Sequence, residues 1–194
     1  MPKINERLLQ IPFEYTKKIT EAIKSDKSVI NLARGDSEFI TPSPITNYLK
    51  KIIDEIGDDL DDINSPVGKW THYEKESGST HLKEAICNKY LSEHGLKIDK
   101  KNILITHGGM NAIYISLKSI LDFGDEVIIF DPAYIAYYPI CNYLSYGVTV
   151  HRIHLHDNNN YEIDYDELKK VINSKTKAII LTSPYNPCGK VYSY

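Results

Sequence analysis

The second half of the sequence alternates short apolar runs with helical patterns, and this alternation most constrains the fold. The apolar runs predict strands at residues 102–106, 126–130, 148–153 and 178–182. The helical patterns between them predict helices at about 110–121, 135–145 and 164–173. Such elements are joined by right-handed crossovers into a mostly parallel sheet with helices on both faces. The sequence therefore predicts an α/β fold, in which Ala178 to Leu181 form a fully buried strand.

Two further helices are predicted upstream of this region. One covers residues 45–57, and another runs from the cap Ser79 to about His94, where Gly95 stops it. The helical period predicts core-facing residues in the second helix at Leu82, Ala85, Ile86, Tyr90 and Leu91. In the next helix, 110–121, it predicts inward-facing residues at Ile113, Leu117, Ile120 and Leu121.

The bulk composition argues against several classes of function. The 194 residues carry a net charge of -3, so no basic surface favours nucleic acid. The N-terminus is charged where a signal peptide has an apolar core, and no stretch approaches the ~20 apolar residues of a membrane span. Three widely spaced cysteines indicate reduced thiols and a cytoplasmic protein. We expect no nucleic-acid partner and no membrane partner.

The first candidate binding loop follows the predicted strand 102–106 and contains Gly108 and Gly109. The two glycines precede a helix whose first backbone N–H groups and dipole favour an anion, and a phosphate is the obvious ligand. A tight turn that needs a positive φ at one glycine is the alternative interpretation.

Two more candidate loops follow the next predicted strands. Tyr134 comes after Asp131 and Pro132 and offers a flat ring that can stack on a flat ligand, or else it is a core tyrosine that begins a helix. Asn186 lies between two prolines and offers a hydrogen-bond donor and an acceptor, or else it belongs to a plain turn. Together the three loops supply an anion cradle, an aromatic plate and an amide at the carboxyl ends of parallel strands, where open α/β sheets bind ligands. Pyridoxal phosphate fits each of these features.

In order along the chain, these loops and other segments resemble the class I/II aminotransferase family, the type I fold of pyridoxal-phosphate enzymes. The likeness runs from about Asn31 to Tyr194 and lies in residues 31–42, 72–73, 78, 82–86, 105–112, 124–128, 131–134 and 183–189. The resemblance implies a truncated, three-layer α/β/α large domain with a mostly parallel sheet at 45–194. It also implies an N-terminal arm and small-domain segment at 1–44.

The resemblance also implies roles for individual residues. Gly108, Gly109 and Met110 correspond to the turn that binds the cofactor phosphate, Tyr134 lies over the pyridine ring, and Asn186 bonds the phenolic oxygen of the cofactor. In the family a tyrosine that matches Tyr73 reaches the phosphate of the neighbouring subunit, so Tyr73 would act across a homodimer interface. A glycine that matches Gly35 lies near the substrate carboxylate.

The family's second half has no counterpart in this sequence. That half carries the lysine that forms a Schiff base with the cofactor, the aspartate beside the ring nitrogen and the arginine that binds the substrate. No lysine here has a matching context, so we assign no catalytic residue to this chain. We expect an N-terminal fragment that performs no amino transfer alone. Met110 and Cys188 also depart from the residues usual in the family, so Met110 helps only through its backbone.

The resemblance implies amino acid and 2-oxo acid substrates and leaves alternatives open. A pyridoxal-phosphate-dependent carbon–sulfur β-lyase or related lyase uses the same fold, and so does a non-catalytic fragment or regulatory binding module. A Rossmann-like nucleotide domain is disfavoured because the first loop lacks a third glycine. His151, His154 and His156 lack the carboxylate or cysteine that would complete a metal site, so we predict no metal.

Overall fold

A computed structural model describes residues 39–56, 76–144 and 147–193, together with positions 3, 18, 21–23, 26, 28, 30, 35 and 73. Of the segments that carry the resemblance, residues 31–34, 36–38 and 72 lie outside the described residues. The chain divides into two compact units, and the boundary lies between Ile105 and Thr106. We call Thr106–Tyr194 the sheet unit and the unit that ends at Ile105 the helical unit.

Two α-helices of the helical unit have described bounds, α1 (Ser43–Ile56) and α2 (Thr80–His94). Gly95 ends α2 with a left-handed φ of 66°, and its N–H donates to Leu91 O, which confirms the predicted stop. Ser79 occupies the N-cap position, but its side chain makes no capping hydrogen bond.

The predicted core face of α2 is wrong. Leu82, Tyr90 and Leu91 are 47%, 40% and 52% exposed, Ala85 is exposed and only Ile86 is half-buried. Apolar and polar residues of α2 are hardly segregated to separate faces of the helix, so the spacing of its apolar residues did not identify a buried face. The prediction for residues 102–106 is also wrong. Asn102 ends a 3₁₀ turn, Lys100–Asn102, and residues 103–106 form no strand. Ile105 N–H donates to the backbone carbonyl of the loop residue Ser77.

The sheet unit contains a parallel sheet of three strands in the order β2-β1-β3. The strands are β1 (Glu126–Asp131), β2 (Thr149–His154) and β3 (Thr176–Ile180). Helices α3 (Gly109–Ile120), α4 (Tyr137–Leu144) and α5 (Tyr165–Val171) alternate with them. Each matches a predicted element to within a few residues, which confirms the α/β class and the parallel sheet.

Strand β1 lies at the centre of the core. Val127 and Ile129 face one side and pack with Leu117 of α3 and Cys141 of α4. Ile128 and Phe130 face the other side and belong to a second cluster, against which Leu168 and Val171 of α5 pack. The four central residues of β1 are at most 1% exposed. Helices therefore cover both faces of the strand, which gives three layers.

Two burial predictions in the sheet unit are wrong. Ile179 and Leu181 are 45% and 47% exposed, because β3 is an edge strand with one face against the core and the other poorly covered. Ile120 is 51% exposed, whereas Leu117 and Leu121 are buried and Ile113 packs against the core as expected. No helix among the described residues is both long and apolar enough to cross a membrane.

Candidate functional site

Three loops lie at one edge of the sheet in the sheet unit. Strands β1 and β3 are adjacent and parallel, so the loops that contain Tyr134 and Asn186 leave the same edge. Helix α3 is 12 residues or ~18 Å long, β1 is 6 residues or ~20 Å long, and residues 121–125 alone separate them. Leu117 of α3 packs in one cluster with Val127 and Ile129 of β1. A helix that packs on the strand to which so short a segment joins it runs back along that strand, so Gly109 lies toward the end of the sheet where β1 finishes.

The first loop presents unpaired backbone donors. The N–H groups of Gly109, Met110 and Asn111 make no hydrogen bond within the described part of the chain, as is usual for the first turn of a helix. Gly108 has a φ of 90°, which disfavours any residue with a side chain. A Cβ at Gly109 would meet no atom within 4 Å. The start of α3 is therefore open to an acceptor from outside the chain.

The loop itself is held by internal hydrogen bonds. Thr106 Oγ1 donates to Gly108 O over 3.0 Å, and His107 N–H donates to the Asn111 side chain over 3.2 Å. These two hydrogen bonds hold the turn before α3. They do not use the free N–H groups of the first helical turn, which point along the helix axis. Met110 is 53% exposed, so its side chain contributes little to the core.

The second loop places Tyr134 between core and solvent. Its ring is half-buried, packs against the core and meets the ring of Tyr137 edge-on at 5.4 Å. Asp131, which ends β1, forms an ion pair with Arg152 of β2, with 2.7 Å between Oδ1 of Asp131 and a guanidinium nitrogen. Sequence reasoning did not single out this ion pair, because it joins neighbouring strands that are distant in sequence.

The third loop exposes Asn186 on a closed turn. Tyr185 N–H donates to Lys190 O, and Gly189 N–H donates to Tyr185 O. Asn186 is exposed, and its amide makes no hydrogen bond within the described residues. The peptide bond between Asn186 and Pro187 is cis. At the base of the loop, Thr182 Oγ1 is buried without a hydrogen-bond partner in the described structure.

Tyr185 anchors this loop, and sequence reasoning missed it. The side chain is 1% exposed, and its hydroxyl donates to Phe130 O at the end of β1. Burial raises the pKa of Tyr185, so the hydroxyl keeps its proton and acts as a donor. A tyrosine inside a loop motif with two prolines was the available signal, but 15 tyrosines in the chain made any one of them inconspicuous.

Two predicted site residues, Tyr73 and Gly35, belong to the helical unit. Both are exposed, and a Cβ at Gly35 would meet no atom within 4 Å. The other predicted site residues, Gly108, Gly109, Met110, Tyr134 and Asn186, all belong to the sheet unit.

The histidines of β2 take part in separate contacts. His151 forms a 2.6 Å contact with Glu126 at the opposite edge of the sheet. Two hydrogen bonds lower the pKa of Glu126: the one from Asn173 has the larger effect, and the one from His151 has the next largest. His154 and His156 meet edge-on at 4.6 Å. No group of three or more metal-ligating side chains occurs among the described residues.

Comparisons with known proteins, by sequence and by structure, both match this chain to aminotransferases. The model for aminotransferase class I and II matches residues 27–194. A probable aspartate aminotransferase of Methanocaldococcus jannaschii is 36% identical over 84% of this chain and 39% of its own length. The aspartate aminotransferase of Pyrococcus horikoshii is 32% identical over 96% of this chain and 44% of its own length.

A solved Escherichia coli structure, described as having a methionine aminotransferase function, aligns with a TM-score of 0.82 at 25% identity. The alignment covers 100% of this chain and 46% of that one. The chain thus spans about half the length of the relatives that it matches. By the match of the family model over most of its length, the chain belongs to the aminotransferase class I and II family.

Proposed function

We propose that this chain is the N-terminal part of a pyridoxal-phosphate-dependent aminotransferase, which moves amino groups from an amino acid to a 2-oxo acid. One observation carries the proposal. Unpaired donors at the start of α3 and the unpaired amide of Asn186 lie at the same edge of the sheet as the partly exposed ring of Tyr134. Such an edge is where parallel α/β sheets bind their ligands.

The start of α3 fits the cofactor phosphate. Three free N–H groups and the positive end of a 12-residue helix attract an anion. The open space around Gly108 and Gly109 lets an oxygen approach the backbone. We therefore propose that Gly109 and Met110 bind the phosphate through their free backbone N–H groups. Gly108, whose own N–H donates to Thr106 O, lies at the same turn and leaves the approach open.

Tyr134 and Asn186 fit the ring of the cofactor. Tyr134 has one edge fixed against the core and Tyr137, so its ring can form a rigid plate for a flat heterocycle. Asn186 has an exposed amide on a turn closed by two backbone hydrogen bonds, so its donor is available to a ring oxygen. A ring held on one side and an exposed amide without a partner are what these two roles require.

The reaction divides between this chain and the part of the protein that it lacks. When bound, pyridoxal phosphate supplies an aldehyde that combines with amino groups and a ring that withdraws electrons from the substrate Cα. In the proposal, residues of this chain bind and orient that group, and no lysine here has the sequence context of the covalent partner. We therefore expect no amino transfer by the 194-residue chain.

The remaining assignments concern partners and location. We propose a homodimer in which Tyr73 reaches the phosphate bound by the partner subunit and Gly35 lies near the substrate carboxylate. The full exposure of Tyr73 supports a role outside its own unit's core. All three cysteines carry free thiols, which supports a cytoplasmic location.

The proposal is tested by titrating the chain with pyridoxine phosphate, which has the ring and phosphate but no aldehyde. This probe avoids imines with surface lysines, so the binding measured by calorimetry reports the site. We expect saturable one-to-one binding, and about tenfold or more weaker binding of pyridoxine, which lacks the charged phosphate.

A matched pair of variants locates the site. Asn186→Ala lowers the affinity about tenfold because it removes a hydrogen bond to the ring oxygen. Asn158→Ala, an exposed asparagine in the loop after β2, leaves it unchanged. Equal affinities of both variants, or equal binding of pyridoxine and its phosphate, would contradict the proposed site. Amino transfer between an amino acid and a 2-oxo acid by the purified chain would contradict the expected division of roles.

A further inference from the structure

We propose that Tyr185 is a positioning residue that holds Asn186 in place relative to the end of β1, and thereby relative to Tyr134. This inference rests on the proposed function, since it concerns how the ring of the same cofactor is held. Tyr185 itself does not touch the ligand, because its side chain is buried on the core side of the loop.

The ring of Tyr185 anchors the loop in the core. It belongs to the cluster of Ile128, Phe130, Ile153 and Leu155, on the face of the sheet covered by α5. This cluster includes residues of β1 and β2, whereas the loop itself follows β3. The loop is therefore attached to the centre of the sheet and not only to the edge strand from which it leaves.

The hydroxyl of Tyr185 completes the hydrogen bonding of β1. Asp131 O points toward β2, because it accepts from Leu155 N–H over 2.6 Å. Carbonyl groups alternate in direction along a strand, so Phe130 O points toward β3. Strand β3 ends at Ile180, the partner of Ile129, and no strand residue follows it beside Phe130. The Tyr185 hydroxyl donates to that carbonyl in place of a strand N–H.

The backbone of Tyr185 extends this anchor to Asn186. Its N–H donates to Lys190 O over 2.7 Å, and its carbonyl accepts from Gly189 N–H over 2.6 Å. Asn186, Pro187 and Cys188 form the turn that these bonds close. A shift of Tyr185 therefore moves Asn186 directly, while the phosphate donors of α3 belong to another element.

Removal of the Tyr185 hydroxyl should weaken one part of the ligand binding and leave the other parts unchanged. Loss of the hydroxyl bond leaves a buried carbonyl at Phe130 without its donor and releases one constraint on the turn. Binding contributed by the Asn186 amide weakens, because the amide is no longer aimed at one position. Binding contributed by the phosphate and by stacking on Tyr134 is retained.

The test compares two tyrosine-to-phenylalanine variants with two ligands. Tyr192→Phe is the matched control: Tyr192 packs against the same cluster, and its hydroxyl donates to the backbone carbonyl of Tyr161 over 3.1 Å. The ligands are pyridoxine phosphate and its analogue without the ring hydroxyl. We expect Tyr185→Phe to lower the affinity for pyridoxine phosphate about fivefold to tenfold, and Tyr192→Phe to change it less than about twofold. Neither variant should change the affinity for the analogue.

A double-variant cycle separates positioning from general destabilisation. If Tyr185 acts through Asn186, Tyr185→Phe has no further effect on affinity in the Asn186→Ala background. Equal losses for both ligands, or additive effects of the two substitutions, would overturn the inference. Wild-type chain that binds no pyridoxine phosphate would instead overturn the proposed function, so the two failures are distinguishable.

A measurement on the wild-type chain covers the case in which Tyr185→Phe does not fold. By linkage, a ligand that uses Asn186 must stabilise the contacts that position it. Exchange of the Tyr185 hydroxyl proton, followed by NMR, should slow when pyridoxine phosphate binds and should not slow with the analogue. Equal slowing by both ligands, or none by either, contradicts the inference.

Discussion

The sheet unit and the helical unit both contain large apolar residues but bury them to very different extents. In the sheet unit, Ile128 and Phe130 are 0% and 1% exposed, with a helix layer on each side of their strand. In the helical unit, Leu82 and Leu91 of α2 are 47% and 52% exposed. A βα alternation brings each element its packing partner through a short connection. Helix α2 has apolar residues that are hardly segregated to one face, so its sequence alone does not specify which residues become buried.

The largest expected effect comes from shortening one apolar side chain in each unit. Phe130→Ala should destabilise the sheet unit by about 3–5 kcal/mol, because it opens a cavity between β1 and α5. Leu91→Ala should cost less than about 1 kcal/mol, because half of that side chain already contacts solvent. Urea unfolding followed by circular dichroism measures both. Comparable losses in the two variants would break the contrast between the units.

A smaller effect on stability is expected from replacing one glycine in each unit, Gly95 at a helix end and Gly109 at the candidate phosphate site. Gly95→Ala should destabilise α2 by about 1 kcal/mol, because the residue ends the helix with a φ of 66°. Gly109→Ala should leave stability unchanged or slightly higher, because its Cβ meets no atom within 4 Å. The same change should lower the affinity for pyridoxine phosphate, because a methyl group narrows the approach to the free N–H groups. A Gly109 variant with full affinity would speak against the phosphate assignment.

The smallest effect concerns the helix caps of the two units. Asp164 accepts hydrogen bonds from the N–H groups of Glu167 and Asp166, which lower its pKa below the ordinary 3.8, whereas Ser79 makes no capping bond. Because the folded-state pKa is the lower one, the stabilisation by Asp164 is present above pH 3.8 and is lost as pH falls through the folded-state value.

Thermal melts of Asp164→Ala and Ser79→Ala across this pH range measure the difference. We expect Asp164→Ala to be less stable than the wild-type chain near neutral pH and to approach it in acid. Ser79→Ala should match the wild-type chain throughout. A deficit of Asp164→Ala that stays constant with pH would show that the carboxylate does not act as a charged cap.

Local sequence was sufficient to predict those structural features that depend only on residues close to one another along the chain. The stop Gly95 and the alternation around β1 and β2 could both be predicted, because each depends on residues within one element and its connection. The run 102–106 was predicted as a strand and is not one, because strand formation needs a hydrogen-bonding neighbour that no local pattern specifies.

The candidate site follows the same rule. The glycines at 108 and 109 and the amide at 186 could be identified because they interrupt regular patterns at the ends of elements. The anchor Tyr185 could not, because its partner Phe130 lies 55 residues away and is joined to it through a backbone carbonyl. The strand order decides which tyrosine can anchor the loop to another strand, and the strand order could not be predicted from the sequence.

The most direct test of the account is a titration of isotope-labelled chain with pyridoxine phosphate, followed by NMR. The account predicts that the backbone amides of Gly109 and Met110 and the side-chain amide of Asn186 shift together with one dissociation constant, while the amides of α2 do not move. Separate titration of these groups, or shifts confined to Gly109 and Met110 that inorganic phosphate reproduces in full, would contradict a single cofactor held by three loops.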